Sequence, residues 1–299
     1  MRSILGIAPI AWSNDDLPEL GGDTPLETCL REARAAGFSG VETGGKFPRT
    51  AAELGPLLTA HELRLASGWY SGTLLDGDLE SEKERARWQL ELFRALDAPC
   101  LVYGEVSGTI QNRREVVMAE RRRLTMDEIA AYGEKLTLFA EFCAEEEVPL
   151  AFHQHMGTVI EREEELDQLM AHTGEAVGLA LDSGHLVFAG GDPFRVAERH
   201  GARVVHVHAK DVRADVLASL DAERDSFLDA VLRGAFTVPG DGSIDFGELA
   251  RILCGAGYEG WFVVEAEQDP VKAPPGEYAV KGYEALRGAL EAAGYEIMN

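Results

Sequence analysis

Three apolar stretches of this sequence end in pairs of ionisable side chains two residues apart. PLAFHQH carries His153 and His155, VVHVHAKD carries His206 and His208, and WFVVEAEQ carries Glu265 and Glu267. A fourth stretch, VGLALD, ends at Asp182 and is followed three residues later by His185. In an extended strand residues i and i+2 share a face, so each pair presents two side chains to the same side. One buried imidazole or carboxylate is readily satisfied by a neighbour. His, Asp, His and Glu ending four consecutive strands are different, because their convergence without a cation carries a large desolvation cost. A divalent metal removes that conflict. Two imidazoles with two carboxylates suit Mn, Co, Zn or Fe(II) better than Mg or Ca, which prefer oxygen shells. No GxSxG elbow and no phosphate-binding loop signature is present, so a nucleophilic triad or a nucleotide site has little support.

The elements that must position these groups alternate along the whole chain. Strands are expected at Ile4–Trp12, Gly40–Thr43, Leu65–Trp69, Cys100–Glu105, Pro149–His155, Val177–Asp182, Val204–Ala209 and Trp261–Glu267. Amphipathic segments lie between them, including Leu26–Ala36, Ala51–His61, Glu80–Leu96, Asp127–Glu147, Glu163–His172, Phe246–Ala256 and Tyr278–Ala293. Thr125 and Asp245 stand where helices should start, and Gly37, Gly174, Gly201 and Gly257 where they should stop. Eight strands alternating with helices predict an α/β protein, a single (β/α)8 TIM barrel over 1–299. An open doubly wound sheet shows the same alternation, but no GxGxxG follows the first strand. The ionisable pairs then sit at the C-terminal rim, where barrel enzymes keep their active sites. Connections 106–124 and 212–240 are long enough to act as lids or substrate walls.

Other polar and aromatic residues follow the strands: Trp12 and Asn14 after the first, Glu42 and Lys46 after the second, Trp69 and Tyr70 after the third, Glu105 after the fourth. Together they describe a pocket suited to a small polyhydroxylated ligand. With 28 Lys and Arg against 52 Asp and Glu, the net charge is −24, which argues against nucleic acid and anionic membrane as partners. No apolar run reaches the roughly 18–20 residues of a membrane helix. MRSILGIAPIAW reads as a first strand rather than a signal peptide, which predicts a cytoplasmic protein whose four separated cysteines are reduced. A homo-oligomer is a common state for such enzymes.

Several stretches resemble one family in order along nearly the whole chain: GIAPIAWSNDDLPELGGD (6–23), CLVYGEVSGTIQ (100–111), AFHQHMGTVIE (151–161), LDSGHLVFAGGD (181–192), HVHAKDVR (206–213), FTVPGDGSIDF (236–246) and GWFVVEAEQDP (260–270). The pattern resembles the xylose-isomerase-like barrel superfamily of sugar isomerases, epimerases and related lyases. Within it, the chain is similar to the myo-inosose-2 dehydratases (2-keto-myo-inositol dehydratases) of inositol catabolism. The resemblance implies metal ligands at His153, Asp182, His208 and Glu265, with Mn or Co the foremost metals. His153 stands where the superfamily usually has Glu, so the two-carboxylate arrangement its epimerases use is missing, which favours a lyase. It further implies proton transfers among His185, Lys210, Glu105 and Glu267, and substrate contacts from Trp12, Asn14, Glu42, Lys46, His155 and Arg213. The expected reaction is dehydration of a cyclic polyol ketone. An isomerase or epimerase on the same metal is the alternative, while a phosphodiesterase or a non-catalytic sugar-binding module fits less well.

Overall fold

Eight parallel strands run in chain order around a ring: β1 (Arg2–Ile7), β2 (Gly40–Thr43), β3 (Arg64–Gly72), β4 (Leu101–Glu105), β5 (Leu150–His153), β6 (Val177–Asp182), β7 (Val204–Ala209) and β8 (Gly260–Val264). β8 pairs back onto β1, from Ser3↔Gly260 to Ile7↔Val264, which closes a (β/α)8 barrel. The computed structural model describes residues 1–298, so the single domain expected over 1–299 extends one residue beyond them. A short β9 (Glu296–Met298) lies beside the start of β1.

The strands are apolar because both of their faces are covered; every residue of β4, β5 and β6 is buried. Two indoles fill space that only glycine leaves open. A Cβ on Gly40 would lie 2.4 Å from the Trp261 ring, and one on Gly104 would lie 2.0 Å from the Trp69 ring.

The amphipathic segments form the outer helices α1 (Leu26–Ala36), α2 (Ala51–Ala60), α3 (Leu79–Ala95), α4 (Met126–Glu145) and α5 (Glu163–Ala171). Thr125 and Glu128 close a reciprocal capping box at the start of α4. Two shorter helices, α6 (Ser183–Phe188) and α7 (Pro193–His200), link β6 to β7. Gly37 and Gly257 take positive φ after their helices, whereas Gly174 and Gly201 do not.

Strand ends differ from expectation where they matter most. β1 stops at Ile7 because Pro9, which has no N–H to continue the ladder, opens a 3-10 turn over Pro9–Ala11. β5 and β8 stop at His153 and Val264, so His155, Glu265 and Glu267 emerge on the loops beyond.

After β7 the chain makes a long excursion. Asp211–Val212 pairs antiparallel with Phe236–Thr237, around α8 (Ala214–Ala218) and α9 (Phe227–Arg233). The Asp211 carboxylate fastens it by accepting from the N–H groups of Val212, Gly242, Ser243 and Ile244. Then α10 (Phe246–Gly255) and α11 (Pro275–Ala292) complete the outer layer. Leu17, Leu20, Met156, Val212, Phe227, Leu228, Val231 and Phe236 form a second apolar cluster, with Met118 and Phe188 against it. These residues come from the connections after β1, β4, β5, β6 and β7, so they cap the C-terminal mouth. Among the described residues, no helix is long and apolar enough to cross a membrane.

Candidate metal centre and acid–base cluster

Asp182 ends β6 and caps α6. Its Oδ1 accepts from the His185 N–H at 2.7 Å, which fixes the carboxylate and leaves Oδ2 buried without a donor. That oxygen lies 3.4 Å from His153 Nε2 and 3.7 Å from His208 Nδ1. The two nitrogens are 3.0 Å apart, and His208 Nδ1 is 2.6 Å from Glu265 Oε2. All four atoms lie within 4.8 Å of one another. Ligands about 2.0–2.2 Å from a common ion are spaced in this way.

Glu42 decides the tautomer of His208. Its Oε1 lies 2.8 Å from His206 Nε2 and 3.1 Å from His208 Nε2. A carboxylate oxygen accepts, so Nε2 of His208 carries a proton, and Nδ1 is the nitrogen that faces the other three donors and would bind a cation once its own proton is displaced. This is the outer-carboxylate arrangement of metal-bound histidines. The β2–β3 register shifts between Val41 and Glu42, and such a bulge re-aims the side chain beside it.

Electrostatics agree. Burial alone would lower the His208 pKa, but the Glu265 and Glu42 carboxylates hold it well above the usual imidazole range. Burial would raise Asp182, yet the Lys210 ammonium beside it keeps it well below the usual carboxylate range. Two buried carboxylates and two imidazoles aimed at one point therefore fit a divalent cation, which takes the place of competing protons.

A second cluster adjoins the first. Lys210 Nζ is 2.8 Å from His185 Nε2 and 2.8 Å from both oxygens of Glu267. It also lies 3.5 Å from Asp182 Oδ2 and 3.6 Å from Glu265 Oε2. Burial opposes its charge, but Asp182, Glu265 and Glu267 outweigh burial and raise its pKa, so it stays an ammonium. Burial, reinforced by neighbouring cationic groups, pushes His155 and His185 well below the usual range, so both are neutral. His155 Nδ1 donates to the Met156 carbonyl at 2.8 Å. Its Nε2 therefore keeps a lone pair, 3.8 Å from Glu267 Oε1. Phe227 and Phe236 roof the cluster: the His155 ring is 5.5 Å from Phe227, and Lys210 is 5.0 Å from the Phe236 ring.

A cavity of about 900 Å³ opens onto both clusters, bordered by Glu42, His155, His208, Glu265 and Glu267, with Trp69 and Trp88 as aromatic walls. Of the residues expected at the site, His153, Asp182, His185 and Lys210 lie in the two clusters behind this lining, and five others lie away from both. Glu105 accepts from Tyr103 Oη and from the N–H groups of Leu75 and Ser107, which ties the loops after β3 and β4. Trp12 donates to Glu32, and Asn14 accepts from the N–H groups of Asp16 and Leu17. Lys46 donates to the carbonyls of Gly21 and Thr24. Arg213 holds the excursion after β7 through the carbonyls of Gly234 and Phe236 and through Asp241. Each has polar atoms committed to loop structure, while the buried Nδ2 of Asn14 has no partner. Conversely Asp16 and Gln111 line the cavity, and sequence reasoning missed them. They lie on connections of no regular period, where the length of 106–124 and the stretches 6–23 and 100–111 were the only signals.

The profile of the family described as Xylose isomerase-like TIM barrel matches residues 30–289. The chain belongs to this family. Among its relatives, the rhizopine catabolism protein MocC of Rhizobium meliloti is 51% identical over 293 residues, covering 98% of this chain and 90% of that protein. An inosose dehydratase of Geobacillus thermodenitrificans is 42% identical over 285 residues, covering 95% and 96%. A solved xylose isomerase-like TIM barrel protein from Mycobacterium smegmatis, in complex with magnesium, superposes with a TM-score of 0.71 at 15% identity, covering 97% of this chain and 98% of that one. At that identity the superposition speaks for the family's fold alone.

Proposed function

We propose that this chain is a metal-dependent hydro-lyase that removes water from 2-keto-myo-inositol (inosose), giving a trihydroxycyclohexane dione. The observation that carries the reading is the His153, Asp182, His208 and Glu265 donor set, which opens onto the cavity through His208 and Glu265, directly beside a buried ammonium and a neutral imidazole. The alignment with a relative named inosose dehydratase over 95% of the chain supports the substrate. Mn or Co is the metal we assign, with Zn or Fe(II) next, on the mixed nitrogen and oxygen character of the set.

A divalent cation held there supplies Lewis acidity toward a ketone oxygen, which acidifies the neighbouring C–H. The chain's own groups supply the rest. The α-proton passes to the pair formed by His155 Nε2 and Glu267 Oε1, which are 3.8 Å apart and both belong to residues bordering the cavity. The Lys210 ammonium stands behind that pair and balances its charge, with the neutral His185 against Lys210 Nζ. Phe227 and Phe236 pack against His155 and Lys210 and make that side of the cluster apolar.

Incubating the metal-loaded protein with the inosose in deuterated water tests this. Ultraviolet absorbance of the dione and loss of water are expected. Epimerised or isomerised ketone appearing faster than dione overturns the lyase reading, leaving the barrel and its donor set intact.

A further inference from the structure

Asp16 is a carboxylic acid on the cavity wall that the steps above leave unused. It lies between β1 and α1, and its Oδ2 accepts from Gln111 Nε2, on the connection after β4, at 3.0 Å. β1 and β4 are three places apart around the eight-stranded ring, so this hydrogen bond passes over the barrel mouth. Asn14 Oδ1 holds the turn by accepting from the N–H groups of Asp16 and Leu17, and Leu17 is anchored in the apolar cap. Asp16 and Gln111 border the same cavity as His155 and Glu267, with His208 and Glu265 also in its lining. A carboxyl is thus held by two independent loops on the wall of the cavity that His208 and Glu265 also line.

Resting on the hydro-lyase reading, we propose that Asp16 is a catalytic acid of this site, handing its proton to the departing β-hydroxyl, with Gln111 as its positioning residue. The electron pair of the α-C–H bond passes first into the substrate's enolate and then, as the β-C–O bond breaks, into the enol double bond of the product. The hydroxyl leaves with the C–O pair and takes the Asp16 proton to become water. The His155 and Glu267 pair keeps the α-proton until solvent removes it, and solvent recharges Asp16.

The surroundings suit that task. Burial, opposed by the Gln111 hydrogen bond, assisted by the Glu267 and Asp15 carboxylates and opposed again by Lys210, leaves the Asp16 carboxyl raised to about 6. An acid is most useful when its pKa lies near the working pH.

The test uses the metal-loaded protein and its Asp16→Asn variant. Water elimination should fall about 10²- to 10⁴-fold in the variant, with α-proton exchange in deuterated water kept within a few-fold and metal content unchanged. An analogue with fluoride in place of the departing hydroxyl needs no proton to leave, so Asp16→Asn should eliminate it at close to the wild-type rate. Carboxyl NMR of Asp-labelled protein should show one resonance titrating near pH 6 that is missing from the variant. In Gln111→Met the alkaline fall of kcat/KM should move to higher pH, because a donor to the carboxylate is lost. Equal losses in exchange, water release and fluoride release overturn the acid role, as does a change in KM alone or no change. If the wild type itself neither exchanges the α-proton nor releases water or fluoride, the hydro-lyase reading fails and this role falls with it.

Discussion

The two carboxylate oxygens of Asp182 have different partners, one capping α6 and one facing the imidazoles, and substitution can separate them. Asn is as good a helix cap as Asp, but its amide carries no charge for a cation. Asp182→Asn should therefore lose stoichiometric metal by elemental analysis while its circular dichroism stays unchanged. Retention of metal would move the centre elsewhere. Glu42→Gln should lower metal affinity about 10- to 100-fold, because it loosens the orientation and basicity of His208 without touching the ion. Lys210 allows a bolder expectation. His155, His185 and Glu267 also offer donor atoms within 4.8 Å of one another, but the Lys210 ammonium stands among them. Lys210→Ala should raise the bound metal by one equivalent per chain in a titration with Zn or Mn. An unchanged stoichiometry would show that geometry, not the resident ammonium, keeps a second ion out.

At the scale of strands and loops, the ends of β5 to β8 were legible because a buried parallel strand should be apolar, and His153, Asp182, His208 and Glu265 break that rule at one level. The same rule misjudged β1, where GIAPIAW continues apolar past Pro9 but cannot continue the ladder. Glu105, Lys46, Trp12, Asn14 and Arg213 had suitable side chains in suitable connections, yet a residue's type does not reveal which way a loop turns it. Partners 20 to 30 residues away hold Trp12, Lys46, Arg213 and Glu105, as with Glu105 and the Leu75 N–H or Lys46 and the Gly21 carbonyl, whereas Asn14 bonds within its own turn. Asp16 was illegible for the converse reason: its place over the mouth depends on Gln111, 95 residues away. Glycine carries similar hidden information. Gly104 on β4 admits the Trp69 ring, which walls the cavity and packs edge-on against His153 and His155 at 5.4 and 5.5 Å. Gly104→Ala should cost about 1–3 kcal/mol in urea unfolding through overpacking. It should also lower turnover more than the matching Gly55→Ala, where the nearest neighbour is a flexible Leu96 side chain at 3.3 Å. Equal effects at the two sites would remove Trp69 from the account.

Over the whole molecule, the donor set joins one side of the barrel and leaves the other alone. His153, Asp182, His208 and Glu265 belong to the ends of β5, β6, β7 and β8, while β1 to β4 contribute only the outer carboxylate Glu42. With a net charge of −24, the chain also has self-repulsion to relieve, and part of it is concentrated where these buried carboxylates meet. A bound divalent cation should therefore act as a cross-link of one half. Metal at a thousandfold over its Kd stabilises the folded state by about 4 kcal/mol, so chelation should lower Tm and stoichiometric Mn, Co or Zn should restore it. Amide exchange then gives the spatial reading. After chelation, protection should fall first at Leu150–His153, Val177–Asp182, Val204–Ala209 and Gly260–Val264, while Leu101–Glu105 and Arg64–Gly72 keep theirs. In Asp182→Asn the unequal pattern should be present from the start and be insensitive to added metal. Equal loss around all eight strands would show that the ion stabilises the barrel as one cooperative unit, and no loss at all would show that the cluster is held by Lys210 and its hydrogen bonds without a cation.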